Sequence, residues 1–215
     1  MDPGALRDGD ALLVVDVQYD FLPGGALGVA GGDAVVDPIA ALAPRFHTVV
    51  LTQDFHPPGH ISFASAHPGT RPYDVIQLPG GSQALWPDHC VAGTRGATLH
   101  ERIRDPSFDR HVTLVYRKGT HRDVDSYSAL RENAYLPGHR RTTGLGEWLR
   151  ARRVDRLFLA GLARDYCVAW TALDARAQGF EVIVIEACTR PVFPDRIAAT
   201  DAEFERAGVR VVPAL

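Results

Sequence analysis

ALLVVD, at residues 11–16, is a run of five apolar residues that ends at a carboxylate. The run does not alternate with polar residues, so it predicts a β-strand buried on both faces rather than on one. Strands of this kind are typical of parallel sheets with helices packed on both sides. Asp16 would then lie at the carboxyl end of its strand, where open α/β sheets bind their ligands.

Five similar runs follow along the chain, and longer segments with helical periodicity separate them. The other predicted strands cover residues 48–52, 111–116, 157–160, 181–186 and 209–212. The first predicted helix covers residues 33–46, with an interruption near Pro38, and the second covers 143–153. The third is capped by Asp165 and ends at Gly179, and the fourth covers 195–207 and ends before Gly208. Strands that alternate with helices indicate one parallel sheet. Residues 56–101, rich in Pro, Gly and His, lack this pattern, and long irregular segments usually carry function.

Composition narrows the class of protein. The 215 residues carry a net charge of -3 and are 46% hydrophobic, which favours a single globular domain over residues 1–215 and offers no basic surface for nucleic acid or membrane lipid. Three cysteines are too few, and odd in number, for a disulfide framework. The acidic N-terminus lacks the features of a secretory signal, and no apolar stretch is long enough for a membrane helix. We therefore expect a cytoplasmic protein.

Three side chains that follow predicted strands are chemically complementary to one another. They are the carboxylate of Asp16, the amine of Lys118 and the thiol of Cys167. Each alone has an ordinary explanation, as a turn residue, a solvated charge or a small buried hydrophobe. Together they predict a cysteine nucleophile with Asp16 as its proton acceptor and Lys118 as a neighbouring cation. The helix dipole and Lys118 should lower the pKa of the thiol. The backbone N–H groups of Ala163 and Cys167 are candidate donors to an oxyanion.

The sequence Asp54-x-His56 predicts a metal site. Residues two apart in an extended segment point to the same side, so a carboxylate and an imidazole can bind one ion. His60 and His89, from the irregular segment, are further candidate ligands. Oxygen and nitrogen ligands suit one divalent ion, with Zn²⁺ as the first candidate and Fe²⁺ or Mn²⁺ as alternatives. Cys90, adjacent to His89, is interpreted as structural.

Five blocks, in the same order, resemble the motifs of nicotinamidases, also called pyrazinamidases. They are VVDVQYDF (14–21) with LPGGAL, QDFHPP (53–58) with HISFA, WPDHCV (86–91), KGT (118–120) with DVDSYS, and GLARDYCV (161–168). The resemblance implies an isochorismatase-like, three-layer α/β/α fold. It also implies a six-stranded parallel sheet in the order 3-2-1-4-5-6, with the strands counted along the chain.

The resemblance implies roles for individual residues as well. The matched positions are a catalytic triad of Asp16, Lys118 and Cys167, metal ligands Asp54, His56 and His89, and aromatic pocket walls Phe21 and Trp86. His60 matches a position that binds the metal in only some members. A cis peptide bond is implied between Leu162 and Ala163, where it would direct the Ala163 N–H to the oxyanion.

The implied activity is hydrolysis of a linear amide C–N bond. Nicotinamide would yield nicotinate and ammonia through a cysteine thioester, and pyrazinamide would react in the same way. The reaction on nicotinamide would serve NAD salvage. The expected partner is a small aromatic amide, and the sequence leaves open whether several copies assemble. The alternatives are an isochorismatase, an amidohydrolase of the N-carbamoylsarcosine type and a non-catalytic ligand-binding member. The metal motif argues against the first two, and an intact triad argues against the last.

Overall fold

The computed structural model describes residues 5–215, so the first four residues of the predicted domain, including the acidic Asp2, lie outside it. The strands of the described chain are β1 (Asp10–Val15), β2 (Thr48–Asp54), β3 (Val75–Leu78), β4 (Gly81–Ala84), β5 (Leu114–Lys118), β6 (Arg156–Leu162), β7 (Glu181–Arg190) and β8 (Arg210–Val212). The helices are α1 (Val36–Leu42), α2 (Pro106–Asp109), α3 (Leu145–Ala151), α4 (Ala169–Ala177) and α5 (Ile197–Ala207). Within residues 5–215, every helix is too short or too polar to span a bilayer.

Six of the strands form one parallel sheet in the order β5-β2-β1-β6-β7-β8. Counted along the chain without the β3–β4 hairpin, this is the order 3-2-1-4-5-6, and the prediction is confirmed. The order reverses between β1 and β6, because the chain builds outward from β1 on one side and from β6 on the other. Such a reversal opens a crevice at the carboxyl ends of the two strands.

Helices cover both faces of the sheet. Successive residues of β1 point to opposite faces, as in any strand. Leu12 and Val14 pack with the hydrophobic residues of α1 and with Phe108 of α2. Leu13 packs on the other face, in a core shared with residues of α3, α4 and α5. The predicted three-layer α/β/α architecture is therefore confirmed.

The helix predicted over residues 33–46 is shorter, and the predicted interruption near Pro38 is wrong. Helix α1 covers Val36–Leu42, and short 3₁₀ turns at Gly32–Val35 and Ala43–Arg45 flank it. Pro38 is the third residue of the helix. The N–H groups of a first helical turn have no partner within the helix, so a proline there removes no hydrogen bond.

The irregular segment 56–101 contains more structure than its sequence predicts. Strands β3 and β4 form an antiparallel hairpin, and isolated bridges join His56 to Val91 and Phe63 to Trp86. These contacts hold the histidine-rich loop against the end of the sheet. The hairpin is short and largely exposed, so its strands lack the apolar runs that identify buried strands.

Burial of β1 on both faces predicts a large loss of stability when one of its side chains is truncated. Leu13 is fully buried, and Leu13→Ala should lower the free energy of unfolding by about 2–5 kcal/mol. The matched control is Leu136→Ala, because Leu136 is 42% exposed and its loss should cost about 0.5 kcal/mol or less. Urea titration of both variants checks the difference, and equal transition midpoints would contradict the two-sided packing.

Candidate active site

The reactive side chains meet at the carboxyl edge of the sheet. Asp16 follows β1 directly, Asp54 is the last residue of β2, and Lys118 is the last residue of β5. Cys167 lies in a π-helical turn, Arg164–Val168, that joins β6 to α4. The two inner strands, β1 and β6, flank the point where strand order reverses. Parallel strands thus bring four distant segments of the chain to one place.

Lys118 joins these groups. Its ammonium nitrogen, Nζ, lies 2.8 Å from Oδ2 of Asp16 and 2.6 Å from Oδ1 of Asp54. The same nitrogen is 3.5 Å from Sγ of Cys167 and donates a hydrogen bond to the carbonyl of Ser126 at 3.0 Å. Both the ammonium and the Asp16 carboxylate are fully buried. A single buried cation therefore touches the thiol and two carboxylates.

The two carboxylates have different proton affinities because their surroundings differ. Burial raises the pKa of Asp16 above its usual value, and Lys118 only partly offsets this effect. Burial acts on Asp54 as well, but Lys118 and His56 outweigh it and hold the pKa of Asp54 well below the usual range. Asp54 therefore stays ionised, whereas Asp16 is suited to accept and release a proton.

The two carboxylate oxygens of Asp16 have different neighbours, and Oδ2 is the one that lies beside Lys118. Its partner oxygen, Oδ1, accepts a hydrogen bond from the hydroxyl of Thr52 at 2.6 Å. Oδ2 forms an ion pair with Lys118, and among the described residues it meets no donor in full hydrogen-bond geometry. A carboxylate oxygen of Asp16 and Sγ of Cys167 lie within 4.8 Å of each other. Asp16 can therefore take the proton of the thiol.

The thiol of Cys167 differs from the sequence-based prediction. Burial raises its pKa well above the ordinary value, and the opposing effect of Lys118 is smaller. The expected lowering of this pKa is therefore wrong for the free protein. A fully buried sulfur loses more by leaving water than one cation returns, particularly with two carboxylates nearby. The resting group is a neutral thiol, which needs a base to become a nucleophile.

The turn that carries Cys167 is not capped as predicted. Asp165 lies inside the π-helical turn, which Ala163 begins without a side-chain cap. The Asp165 carboxylate instead accepts hydrogen bonds from the backbone N–H groups of Val192 and Phe193, at 2.8 and 3.0 Å. It thus links the turn that carries Cys167 to the loop after β7. The peptide bond between Leu162 and Ala163 is cis, as the resemblance implied.

Asp54, His56 and His89 converge on one point. Oδ2 of Asp54 lies 3.5 Å from Nε2 of His56 and 4.0 Å from Nε2 of His89. The other ring nitrogen of each histidine, Nδ1, faces a backbone carbonyl, that of Gly119 at 2.9 Å and that of Pro87 at 2.8 Å. Donation to these carbonyls places the lone pairs on the two Nε2 atoms, which is the arrangement that metal-binding histidines use.

The chemistry of this donor set fits a divalent ion. One carboxylate oxygen and two imidazole nitrogens lie within 4.8 Å of one another, and all three residues are buried. Burial, followed by the repulsion of His56, lowers the pKa of His89 to about 4. His89 is therefore neutral at physiological pH, as a metal ligand must be. Carboxylate and imidazole ligands together are typical of Zn²⁺ and similar ions.

His60 is placed differently from the other predicted ligands. Its Nδ1 lies 2.8 Å from the hydroxyl of Ser62, and its Nε2 lies 3.4 Å from the carbonyl of Val124. When Nε2–H donates to that carbonyl, Nδ1 accepts from Ser62, so both nitrogens have protein partners. The ring stacks on His56 with centroids 4.2 Å apart. A second group of ligand atoms, from His56, His60 and Asp125, is the alternative arrangement in which His60 would take part.

The residue next to His56 at position 119 has to be a glycine. Its φ of +62° is in the left-handed region that other residues rarely adopt. A Cβ atom at this position would also lie 2.6 Å from Nδ1 of His56. A side chain here would therefore displace His56 and break the bond that orients its ring.

A cavity opens beside the thiol and the ligand group. Phe21 and Trp86, predicted as its walls, line it together with Ala163 and Cys167. The ring of Phe21 is 5.5 Å from that of His89, between centroids. The cavity is therefore an aromatic slot with the thiol and the ligand group on its lining, which places aromatic side chains next to the reactive groups.

Two tyrosines complete the slot, and sequence reasoning assigned neither a role. Tyr127 accepts a hydrogen bond from Nε1 of Trp86 at 3.0 Å, which fixes the indole plane. Tyr166 packs edge-on against Trp86 with ring centroids 4.7 Å apart. Both lie inside quoted motifs, DVDSYS and GLARDYCV, and the aromatic residues there were the available signal.

Comparison with known proteins identifies the family. A family model described as the isochorismatase domain matches residues 10–212. A nicotinamidase from Acinetobacter baylyi is 49% identical over 83% of this chain and 80% of its own length. The chain belongs to the nicotinamidases of the isochorismatase family. Like other nicotinamidases, it is a hydrolase of linear amide bonds.

Solved structures of nicotinamidases show the same fold. A nicotinamidase/pyrazinamidase from Acinetobacter baumanii has a TM-score of 0.89 and 42% identity, over 97% of each chain. An L. infantum protein in complex with nicotinate has a TM-score of 0.81 and 36% identity, over 97% of this chain and 94% of its own. A Pyrococcus horikoshii pyrazinamidase in complex with zinc has a TM-score of 0.73 and 30% identity, over 95% of this chain and 98% of its own.

The different partners of the histidines predict different effects on metal binding. His89→Ala removes a free Nε2 lone pair and should weaken Zn²⁺ binding by more than about 100-fold. This loss exceeds the one that usually follows removal of a residue that only hydrogen-bonds to a metal ligand. His60→Ala removes a ring whose nitrogens both have protein partners, so we expect a loss of about 10-fold or less. Competition with a chromogenic chelator measures both constants. Equal losses would show that His60 is a ligand.

Proposed function

We propose that this nicotinamidase hydrolyses nicotinamide to nicotinate and ammonia, and pyrazinamide to pyrazinoate and ammonia. The observation that carries the proposal is the contact of one buried ammonium, that of Lys118, with Asp16 and Cys167 beside an aromatic slot. A thiol with a base and a cation is the arrangement for nucleophilic attack on a carbonyl. The relatives described above support nicotinamide as the substrate.

In the first half of the proposed reaction, Asp16 accepts the proton of Cys167 and the thiolate attacks the carboxamide carbon. Lys118 stabilises the thiolate. The oxyanion accepts hydrogen bonds from the N–H groups of Ala163 and Cys167. Protonated Asp16 then gives its proton to the departing amino group, so that the C–N bond breaks, ammonia leaves and a thioester remains. The raised pKa of Asp16 suits a group that takes and returns a proton.

In the second half, water hydrolyses the thioester. Asp16 removes a proton from the water, and the resulting hydroxide attacks the acyl carbon. The C–S bond breaks, the acid leaves as nicotinate after it loses its proton to solvent, and Asp16 returns its proton to Cys167. The enzyme is restored without an external oxidant or reductant. The same two N–H groups serve both tetrahedral intermediates.

Asp54, His56 and His89 would hold one divalent ion, for which Zn²⁺ is the first candidate. The ion would supply a Lewis acid that binds the ring nitrogen of the substrate, orients the ring and withdraws electrons from it. Phe21 and Trp86 would hold the ring between them. The zinc-bound relative supports the choice of ion, and the donor set supports the site.

We also infer that the enzyme is a single domain and acts in a reducing compartment. The sheet and its two cores run from Asp10 to Val212, which supports one domain over residues 1–215. Cys90, Cys167 and Cys188 are all buried free thiols. A nucleophilic cysteine must stay reduced, which supports a cytoplasmic enzyme, and the proposed substrate supports a role in NAD salvage.

The nucleophile assignment predicts that one cysteine is essential and another is not. Cys167→Ala should lower kcat for ammonia release from nicotinamide by about 10⁴-fold or more, as loss of a nucleophile does in other hydrolases. Cys188→Ala is the matched control, because Cys188 is buried within β7 outside the cavity, and it should keep its activity. Full activity of Cys167→Ala would exclude the thioester route.

The role of the ring nitrogen can be tested by binding alone. In Cys167→Ala, which binds without turnover, removal of the metal should weaken nicotinamide binding by about 10-fold or more, equivalent to about 1.4 kcal/mol. Benzamide lacks the ring nitrogen, so its affinity should not depend on the metal. Calorimetry with and without Zn²⁺ measures both. Nicotinamide affinity that ignores the metal would refute this contact.

A further inference from the structure

The side chain of Gln18 is bonded to the backbone of the metal-ligand candidate Asp54. The amide group Nε2 of Gln18 donates to the carbonyl of Asp54 at 2.8 Å, and Oε1 of Gln18 accepts from the N–H of Asp54 at 2.8 Å. A third hydrogen bond runs from Nε2 to the carbonyl of Ala97 at 2.9 Å. Gln18 is fully buried, so every polar atom of its side chain is used within the protein.

These bonds replace a missing strand. The β1–β2 pairing ends at Val14 and Leu51, and β1 itself ends at Val15, whereas β2 continues to Asp54. Asp54 therefore lies beyond the end of β1 and has no paired residue on that strand. The amide of Gln18 has one donor face and one acceptor, and it satisfies the carbonyl and the N–H of Asp54, which β1 is too short to reach.

The pairing fixes the residue that bears the carboxylate. The N–H and the carbonyl of Asp54 belong to the two peptide planes on either side of its Cα, and one planar amide holds both. On the opposite side, the N–H of Phe55 donates to the carbonyl of Lys118 at 3.0 Å. With both planes held, the backbone leaves the carboxylate little freedom. Its two oxygens reach Lys118 and His56 at once.

We propose that Gln18 is a positioning residue for metal binding: its amide holds Asp54 in the orientation that binds the ion. The inference rests on the proposed metal site at Asp54, His56 and His89. Gln18 does not touch the ion, the substrate or the reacting atoms. It acts by restricting the backbone of a ligand, as hydrogen-bonded outer partners do at other metal sites.

Gln53 provides a matched control. It is also a buried glutamine, and its Nε2 donates to the same carbonyl of Ala97, at 2.7 Å. Its Oε1 accepts from Arg117 rather than from the backbone of Asp54. Loss of the Gln53 amide therefore removes a buried bond to the Ala97 loop and leaves the pairing of Asp54 intact.

The test compares Gln18→Met with Gln53→Met, since methionine keeps the length of the side chain without its donors and acceptor. We expect Gln18→Met to bind Zn²⁺ about 10–100-fold more weakly in chelator competition, and Gln53→Met to bind as the wild type does. Thermal unfolding midpoints of the metal-free proteins show how much each substitution lowers the stability of the fold. Wild-type affinity in Gln18→Met, or equal weakening in both variants, would overturn the proposal.

Two further variants separate the possible failures. Asp54→Ala should abolish Zn²⁺ binding; if it does not, or if the wild type binds no Zn²⁺, the metal site itself is wrong and the role of Gln18 falls with it. If Gln18→Met does not fold, Gln18→Asn takes its place, because its shorter side chain stays polar but cannot reach both groups of Asp54. The same loss of Zn²⁺ affinity is expected there, and wild-type affinity in it would overturn the proposal.

Discussion

The contact on which the site depends is the burial of the Lys118 ammonium between two carboxylates. Each buried ion loses several kcal/mol of hydration, and only close opposite charges restore that loss. Asp16 and Asp54, at 2.8 and 2.6 Å, supply them. The pKa values of the two acids respond differently to this cation. It favours the ionised form of Asp54, where Lys118 and His56 together outweigh burial, whereas burial still raises the pKa of Asp16.

The sheet makes this contact available. Lys118 and Asp54 are paired residues at the ends of neighbouring strands, and their positions follow from the buried runs that precede them. Asp16 leaves β1 with a φ of +49°, a left-handed conformation that costs about 1–3 kcal/mol in a residue other than glycine. Cys90, next to His89, has a φ of +47°. One of these residues belongs to the site and the other adjoins it, and the surrounding structure holds both in place.

The sequence predicted the fold correctly, and the errors in its details have physical causes. Continuous apolar runs identify buried strands, so the six strands of the sheet were found, whereas the exposed β3–β4 hairpin was missed. Asp165 resembles an N-cap in sequence, but its carboxylate binds the N–H groups of Val192 and Phe193. The pKa of Cys167 was predicted from position along a helix, and burial then dominated it.

By itself, the sequence determined which residues lie at the ends of the strands, because strand ends follow from local apolar patterning. It therefore predicted that Asp16, Asp54, Lys118 and Cys167 meet at one edge of the sheet. Only the tertiary structure decided how charge is shared among them, which nitrogens of the histidines are free, and that Gln18 pairs with Asp54. Those properties depend on distances between segments far apart in the chain and on exclusion of water, and no local pattern encodes either one.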